Sequence, residues 1–573
     1  MKTAGTDTLP GALVITDGMQ GLITASTGYG RGLVSDGSIR LDYHKKKISF
    51  SGTYSFLRTH QYRRVTYFKS IINEDDIFKS NLINEGFPVQ RNYYAGLSIN
   101  YQANNKTSFS GTVNAYDKKG SINTTNNFKI TGPKSKDTAI KIEDIEVNDW
   151  THFMTNLGML HSISNKQNLL LNAGFLYYFN SNPVNLNSDY FNEKNELIYS
   201  LKFKSRKQTP IRFWIISGNY SAEVNRKISI ELGIRSTISK FRNNLTAENR
   251  GNGNWQKDMG LSSFHNRTET IHAVNALFVY RPDTSIAINA SLRYEHTMTN
   301  MSENKSKVLV DYNYGKLFPS LSFRRAVGKD KRIFLSYSSG ITRPKFNDIS
   351  RSIVFFAPKS ILSGNPNLEP AFYHYMKAGY ETKKYTLSLS YDHESHSIAW
   401  FKNLKQFRSA GLSLNIPAKI NSWWTTQHSV TARSREVIGI CDDILFKARK
   451  INIEINAVHR FSFSHNWNVE LSGFYQSATL SGLYKLHSLG SLNVDIRKKL
   501  GRGSLAFSAN DIFTTNKLRL SAFHPVIDEV QNYCFQLTPG TFRVSYAISF
   551  GNNKLQRIND SKTGLEEELA RIK

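Results

Sequence analysis

Three side chains on one predicted strand have the chemistry of a metal site. In the segment TLSLSYDHESHS, Asp392, Glu394 and His396 follow Ser388 and Ser390 at every second position. Alternate residues of a β-strand share one face, and two carboxylates with an imidazole can bind a divalent metal ion. A polar, water-facing wall of a sheet accounts for the same spacing, and we prefer that interpretation. We therefore predict no metal and no cofactor.

The other reactive residues form no catalytic pattern. The sequence contains no nucleophile elbow, phosphate loop, HExxH or CxxC motif, so we predict no enzyme activity and no catalytic residue. Its two cysteines, Cys441 and Cys534, lack the spacing of a zinc site. They form either one disulfide or two separate thiols, and we prefer the thiols. No substrate-binding residue can be assigned from the loops.

Composition indicates the class of fold that must position these residues. The chain has 573 residues and a formal net charge of +29, and aromatic residues make up 12% of it. No segment approaches the ~18 consecutive apolar residues of a membrane-spanning helix. The first residues, MKTAGTDTLPGALVITDG, lack the apolar core of a secretory signal peptide, so the protein is either cytosolic or preceded by further sequence. Abundant aromatic, Gly, Ser, Thr and Asn residues favour an all-β protein.

Apolar and polar residues alternate along most of the predicted strands. In KISFSGTYSF, Ile48, Phe50 and Tyr54 share one face while Ser49 and Ser51 share the other. Each such strand has about 9–11 residues, the length that a tilted strand needs to cross a bilayer. Short polar turns alternate with long irregular connections, such as 57–93, 117–150 and 241–271. This pattern predicts a transmembrane antiparallel β-barrel with short periplasmic turns and long extracellular loops.

The alternation predicts 22 strands. An even number places both chain ends at the short-turn edge, and the alternation is weakest at 212–224 and 406–416. The predicted strands cover residues 21–30, 37–43, 48–57, 94–102, 107–116, 152–163, 169–179, 212–224, 228–237, 271–280, 286–296, 316–326, 332–340, 372–381, 385–396, 406–416, 422–432, 447–459, 467–477, 484–497, 503–512 and 541–550.

Positive charge is concentrated in the short turns, as in HKKK at 44–47 and RKKLGRG at 497–503. Solvated turn residues explain this charge, and we prefer that interpretation. Long loops also contain basic residues, as in RTHQYRR, so attraction to an anionic ligand or to lipopolysaccharide phosphate is the alternative.

The second half of the chain resembles a known family. The motifs LFPSLSF, ITRPKFNDIS and SGNPNLEPAFYHYMKAGYE, followed by NSWWTTQHSV and DIRKKLGRGSLAFSANDIFTTNKLR, resemble in order and spacing the barrel of TonB-dependent receptors of the Bacteroidetes outer-membrane β-barrel type. The resemblance is close from about residue 315 to 573 and looser before it. It implies an outer-membrane location and uptake of a scarce nutrient through a plug coupled to TonB.

The resemblance does not extend to every part of such a receptor. Residues 1–20, with GALVITDGMQG, resemble only the plug-to-barrel junction, residues 21–551 form the barrel, and 552–573 are expected to be a periplasmic tail. No plug and no TonB box is recognisable, so we expect a barrel fragment whose plug and TonB box, and with them contact to the TonB complex, are supplied either by a missing N-terminal part or by another chain. A surface lipoprotein is a further partner that we considered, together with outer-membrane lipid and lipopolysaccharide.

Several residues receive structural rather than functional assignments. We expect the lumen-facing Arg235, Arg293 and Glu295 to form ion pairs that brace the wall. One of Trp423 and Trp424 is expected in the aromatic girdle at the membrane interface. The turn SGNPNLEP, residues 363–370, is expected at the outer rim, where its prolines need no ladder hydrogen bond.

Three functional hypotheses remain at this point. The first is a receptor that imports a siderophore, cobalamin, glycan or peptide, the substrate class being unresolved. The second is a passive pore without a plug, or a structural barrel. Large steady currents through the purified chain would favour the open pore, whereas silence until a plug is added would favour the receptor. The third is a soluble basic protein that binds nucleic acid, which we disfavour because its apolar strand faces would be exposed to water.

Overall fold

A closed ring of strands forms the body of the protein. The computed structural model describes residues 17–73, 76–131, 138–251, 253–304, 307–350, 354–357, 360–399, 401–441, 444–524, 528–536, 540–552 and 564–572. Within these ranges, 22 antiparallel strands close into a barrel. They are Gly18–Tyr29 (β1), Leu33–Lys45 (β2), Ile48–His60 (β3), Val89–Asn104 (β4), Thr107–Thr131 (β5), Asp149–Ser164 (β6), Gln167–Phe191 (β7), Leu197–Glu223 (β8), Ile228–Gly251 (β9), Ser263–Tyr280 (β10), Ile286–Glu303 (β11), Lys307–Gly328 (β12), Lys331–Thr342 (β13), Ala371–Thr382 (β14), Thr386–Ser395 (β15), Gln406–Lys419 (β16), Trp424–Cys441 (β17), Ile444–Phe463 (β18), Trp467–Gln476 (β19), Leu489–Leu500 (β20), Gly503–Asn510 (β21) and Thr541–Gly551 (β22).

The first and last strands close the ring. Ile23 of β1 lies opposite Ile39 of β2 on one side and opposite Ile548 of β22 on the other. Since Gln20 pairs with Gly551, the start of β1 and the end of β22 lie at the same edge. The predicted all-β class, strand number and common edge of the two ends are confirmed.

The two faces of the wall have opposite polarity. Large apolar side chains point outward and are exposed, among them Leu157, Ile216 and Ile234 at 64%, 67% and 63%. Ser49 and Ser51 on the inner face of β3 are buried, whereas Ile48 and Tyr54 on its outer face are exposed. Such an apolar outer surface needs lipid rather than water around it. None of the helices in the described part of the chain is long and apolar enough to cross a membrane.

One edge of the barrel rises into a tall collar. At this edge, the outer halves of β5, β7, β8 and β9 continue a sheet whose further strands are Arg63–Asn73, Asp76–Gly86, Thr138–Val147, Asn254–Lys257, Thr479–Ser481, Tyr484–Leu486, Leu518–His524 and Asp528–Gln536. We call these strands and strand halves the collar. The opposite edge carries only short turns, such as the one between β2 and β3.

The collar corrects the prediction of long irregular connections. Residues 57–93 contain two collar strands, and β5 runs on to Thr131 instead of ending near residue 116. On β5, Val113 is exposed on the outer face, whereas Ile122 and Phe128 are buried on the inner face. The apolar residues have therefore changed faces above the bilayer, where the outer face meets water. A prediction that looks for apolar residues on the outer face therefore misses the collar strands.

Two helices complete the elements that matter here: Phe346–Ile349 (α1) and Leu565–Ile572 (α2). Two small hairpins, Val354–Ala357 with Ser360–Leu362 and Ile398–Ala399 with Lys402–Asn403, and the 3₁₀ turn Ser464–Asn466 lie in connections. Residues 1–16 of the predicted plug-to-barrel junction lie outside the described residues. The predicted periplasmic tail differs from the structure at its end, because α2 lies inside the ring of strands, as its contacts show below.

Candidate functional site

The connection between β13 and β14 folds into the lumen and carries α1. β13 ends at Thr342, two residues before Pro344, which has no backbone N–H to continue the ladder. The backbone N–H groups of Asp348 and Ile349 donate to the carbonyl oxygen of Lys345 and close the single turn of α1. Phe346 and Ile349 are buried in the lumen.

The turn SGNPNLEP fixes α1 in place. The backbone N–H of Asn365 donates to the carbonyl oxygen of Asp348 at 2.7 Å, and Leu368 is buried beside α1. At Gly364, an added Cβ would lie 2.3 Å from the carbonyl oxygen of Ser350, so only glycine fits this close approach. The turn belongs to a connection at the outer edge, as predicted, but it anchors α1, which folds inward from that connection.

The lumen wall next to α1 is apolar. Leu176 and Tyr178 of β7, Phe213 of β8, Phe241 of β9 and Met301 of β11 face inward and are buried. They form one cluster with α1, Leu368 and both ends of α2. The sequence IRFWIISG at 211–218 alternates weakly because Ile211, Phe213 and Ile215 face this cluster while Trp214 and Ile216 face outward. A strand that is apolar on both faces is a signal of a packed lumen, and sequence reasoning missed it.

A buried ion-pair network joins α2 to the wall. Arg571 donates from Nη1 to Glu269 Oε1 of β10 at 2.7 Å and to Glu568 Oε2 at 3.0 Å. Arg267 donates from Nη2 to Glu269 Oε2 at 2.9 Å. The guanidinium of Arg571 also stacks on the ring of Phe346, 4.8 Å from its centroid. Glu269 is 1% exposed, so its charge depends on these two arginines for compensation.

The three predicted wall residues form ion pairs, as expected, but two of them hold lumenal segments. Arg293 donates to Glu295 at 2.6 Å within β11. Glu295 also accepts from Nη2 of Arg343, at 2.6 Å, and thereby ties the inward-folded connection to the wall. Arg235 of β9 pairs with Glu567 at 3.0 Å and so holds α2.

The acidic strand does not bring its three candidate metal ligands onto one face. Asp392 and Glu394 lie on β15, which ends at Ser395. His396 follows with a left-handed backbone, φ +53°, and its Nε2 lies 3.9 Å from Glu369 Oε2, so it does not continue the alternation. Across the described residues, no three His, Cys, Asp or Glu side chains are grouped to hold a metal ion. Ser388 is buried and Ser390 half-buried in the same strand.

Trp423 and Trp424 lie together at the short-turn edge, where the aromatic girdle was predicted. Trp423 is in the turn before β17 and stacks on Phe463, with 5.7 Å between ring centroids. Trp424 stacks on Phe461 at 5.7 Å. Trp423 precedes the strand, and the two indole rings also stack on each other. Separately, Cys534 of the collar is a free cysteine.

The inner side of the collar combines an aromatic stack with buried charges. Tyr116 stacks on Trp150 at 4.6 Å, and Lys118 Nζ lies 5.8 Å from the centre of the Trp150 ring. Burial lowers the pKa of Lys118 and of Lys207, and Glu146 opposes this shift in both. These groups lie where β5, β7 and β8 leave the barrel, between its lumen and the outer edge.

A buried carboxyl completes this group. Burial, and then the neighbouring Glu146, raises the pKa of Asp144 to about 7. Glu146 itself accepts a hydrogen bond from Asn182 Nδ2 at 3.1 Å. Arg63 is close enough to Asp144 to oppose the shift. Nothing in the sequence indicated this cluster, because Arg63 lies far along the chain from the other residues.

Residues 161–546, more than half of the chain, match the family model described as outer membrane protein beta-barrel family. The chain therefore belongs to the outer membrane protein beta-barrel family. None of the curated proteins compared with it is similar in sequence.

Solved structures share the fold at low sequence identity. The siderophore receptor PiuA from Acinetobacter baumannii has a TM-score of 0.60 and 9% identity, over 93% of this chain and 82% of that one. The ferric yersiniabactin uptake receptor FyuA from Yersinia pestis has a TM-score of 0.59 and 11% identity, over 93% of this chain and 80% of that one. The siderophore receptor PirA from Pseudomonas aeruginosa has a TM-score of 0.55 and 11% identity, over 94% of this chain and 81% of that one. These similarities establish the barrel fold.

Family and fold together place the protein in the outer membrane. Its apolar outer surface lies in the bilayer, the short turns lie in the periplasm and the collar lies outside the cell. The predicted location and barrel are confirmed. The Bacteroidetes type of the family, which rested on motif resemblance, stays a prediction.

Proposed function

We propose that this protein is the barrel of a TonB-dependent receptor that imports a scarce nutrient across the outer membrane. The shared fold with siderophore receptors supports an uptake role. Energy coupling would come from TonB acting through a plug. The substrate class stays unresolved among siderophores, cobalamin, glycans and peptides, and a surface lipoprotein is a further candidate partner.

The observation that carries this proposal is that segments of the chain itself pack against one side of the lumen wall. α1, α2 and Leu368 pack against the wall strands β7 to β11, and ion pairs tie them to Arg235, Glu269 and Glu295. A passive pore needs an open aqueous channel. Segments of the chain that pack along one side of the lumen narrow it, and this fits a gated transporter better than an open pore.

Substrate capture is assigned to the inner side of the collar. Trp150 and Tyr116 offer aromatic surface, and Lys118 and Lys207 offer positive charge at reduced solvent exposure. Polar groups in a partly desolvated site contribute more to recognition than those on an open surface. A ligand bound here would lie directly above the lumenal segments.

Growth on single limiting nutrients tests the proposal. A deletion strain is grown with one ferric siderophore, cobalamin, glycan or peptide source at a time, in the presence and absence of TonB. We expect one source to lose uptake both on deletion of the gene and on removal of TonB. Unchanged uptake of every source, together with large steady currents from the purified protein in planar bilayers, would overturn the receptor in favour of a passive pore.

A further inference from the structure

We propose that the lumen wall contains a binding site for a short peptide helix, and that α2 is a removable stopper that occupies this site in cis. The site is formed by one side of the barrel, from β7 to β10, with α1 as its outer lip. This inference concerns the barrel itself and does not depend on which nutrient is imported.

The first part of the site is an apolar notch. Leu565, at the start of α2, is fully buried against Gly174 of β7. A Cβ at position 174 would lie 2.8 Å from Leu565 Cδ1, so the glycine makes room for the leucine. Ile572 is buried at the other end of the helix. The residues Leu565, Glu568 and Ile572 recur at helical spacing and form the face that enters the site.

The second part is a set of charges that matches the helix. Three glutamates in the first turn of α2 and Arg571 in the last turn agree with the helix dipole. Arg235 meets the acidic end: its Nη1 pairs with Glu567 and its Nη2 donates to the carbonyl oxygen of Gly564 at 3.1 Å. Glu269 meets the basic end through Arg571. The orientation of a bound peptide is thus specified at both ends.

A third contact links the stopper to the outer connection. Asn347 of α1 donates from Nδ2 to the backbone carbonyl oxygen of Ile572 at 3.1 Å, and Phe346 stacks on Arg571. α1 is in turn held by the turn SGNPNLEP. Movement of this connection therefore removes two contacts from α2 at once.

The energetics of the site favour exchange over permanent packing. A buried ion pair adds little net stability because desolvation offsets most of its attraction, and Nε and Nη2 of Arg571 have no hydrogen-bond partner among the described residues. An eight-residue helix is also unstable alone in water. Release of α2 therefore yields an unfolded tail, and rebinding refolds it.

Binding of a peptide in trans tests the site in the full-length chain. The probe is a fluorescent synthetic peptide of residues 561–573, and the barrel carries Arg571→Glu to vacate the site. We expect saturable binding of the wild-type peptide to this variant. Its binding to the wild-type barrel, whose site is filled, should be at least about a hundredfold weaker. Binding of a peptide that itself carries R571E to the vacated barrel should be weaker by the same factor. Ala570→Glu is the matched control, because it places a carboxylate on the exposed face of the same helix.

Conductance tests the stopper function. In planar bilayers, Arg571→Glu should raise the single-channel conductance above that of the wild type and of Ala570→Glu, and the wild-type peptide should lower it again. Leu565→Ala vacates the same site without a change of charge and replaces R571E if that variant does not fold. Equal peptide binding to wild type and to both vacated variants overturns the site, and bound peptide without a change in conductance overturns the stopper. Neither result depends on a nutrient-uptake assay.

Discussion

The fit of Leu565 against Gly174 allows a quantitative prediction for the docking of α2. Leu565 is 0% exposed, so Leu565→Ala removes a fully buried side chain from the notch. Such substitutions cost about 2–5 kcal/mol. The equilibrium between docked and released helix should therefore shift by about 30-fold to several thousandfold.

Hydrogen exchange of the C-terminal peptide measures this equilibrium, because the amides of the last turn of α2, from Leu569 onward, have helical hydrogen bonds that protect them while the helix is docked. We expect slow exchange in the wild type and much faster exchange in Leu565→Ala. Ala570→Ser is the control, since it changes an exposed position of the same helix. Similar exchange in both variants would refute the view that the apolar notch holds α2.

The partner side of the notch gives a second, independent measurement. Gly174→Ala places a methyl group 2.8 Å from Leu565 Cδ1, and overpacking of this kind costs about 1–3 kcal/mol. In the Leu565→Ala background the same methyl group meets a shortened side chain, and most of the cost should disappear. Additive effects of the two substitutions on exchange would show that the residues do not meet.

Three further predictions concern the wall and the collar. Arg343→Ala breaks a buried ion pair, at a cost of about 3–5 kcal/mol, and should release the connection at 343–350. Limited proteolysis should then cut the chain within this connection. The control Arg332→Ala should have little effect, because its ion pair is exposed and 4.0 Å long. The pKa of Asp144 is about 7 in the folded collar against 3.8 for a free carboxyl, so the folded state keeps a proton that the unfolded state has lost. Hydrogen exchange of residues 138–147, corrected for intrinsic rates, should therefore show collar stability falling as pH rises from 4 to 7 and levelling off above, and Asp144→Asn should remove this slope. Leu389→Lys places a charge on the lipid face, which should cost about 2–4 kcal/mol of folding free energy and lower the folding yield in vesicles. Ser390→Lys places the same charge on the lumen face and should fold normally.

Local alternation was enough to predict the barrel, because every wall strand in the bilayer has lipid on one face. The sequence KISFSGTYSF illustrates this: Ile48 and Tyr54 are exposed and Ser49 and Ser51 are buried, as the pattern requires. The number of strands followed from the same rule, and even the weakly alternating 406–416 corresponds to β16.

The lumenal site could not be predicted in this way, because its contacts join distant parts of the chain. Arg571 and Glu269 are 302 positions apart, and no local pattern relates them. The amphipathic sequence LEEELARI was visible, yet a helix with one apolar face fits a tail in the periplasm as well as one inside a barrel. Only the packed inner face of β8 distinguishes the two, and that strand was one of the two with the weakest alternation.

The collar shows that the face on which the apolar residues lie carries information, as well as the alternation itself. On β5, apolar residues occupy odd positions up to Val113 and even positions from Ile122 onward, although the strand is continuous and its faces do not change. The environment changes instead, since lipid surrounds the lower part of the strand and water the upper part. The position where the apolar residues change faces therefore marks the upper limit of the bilayer, between Val113 and Ile122.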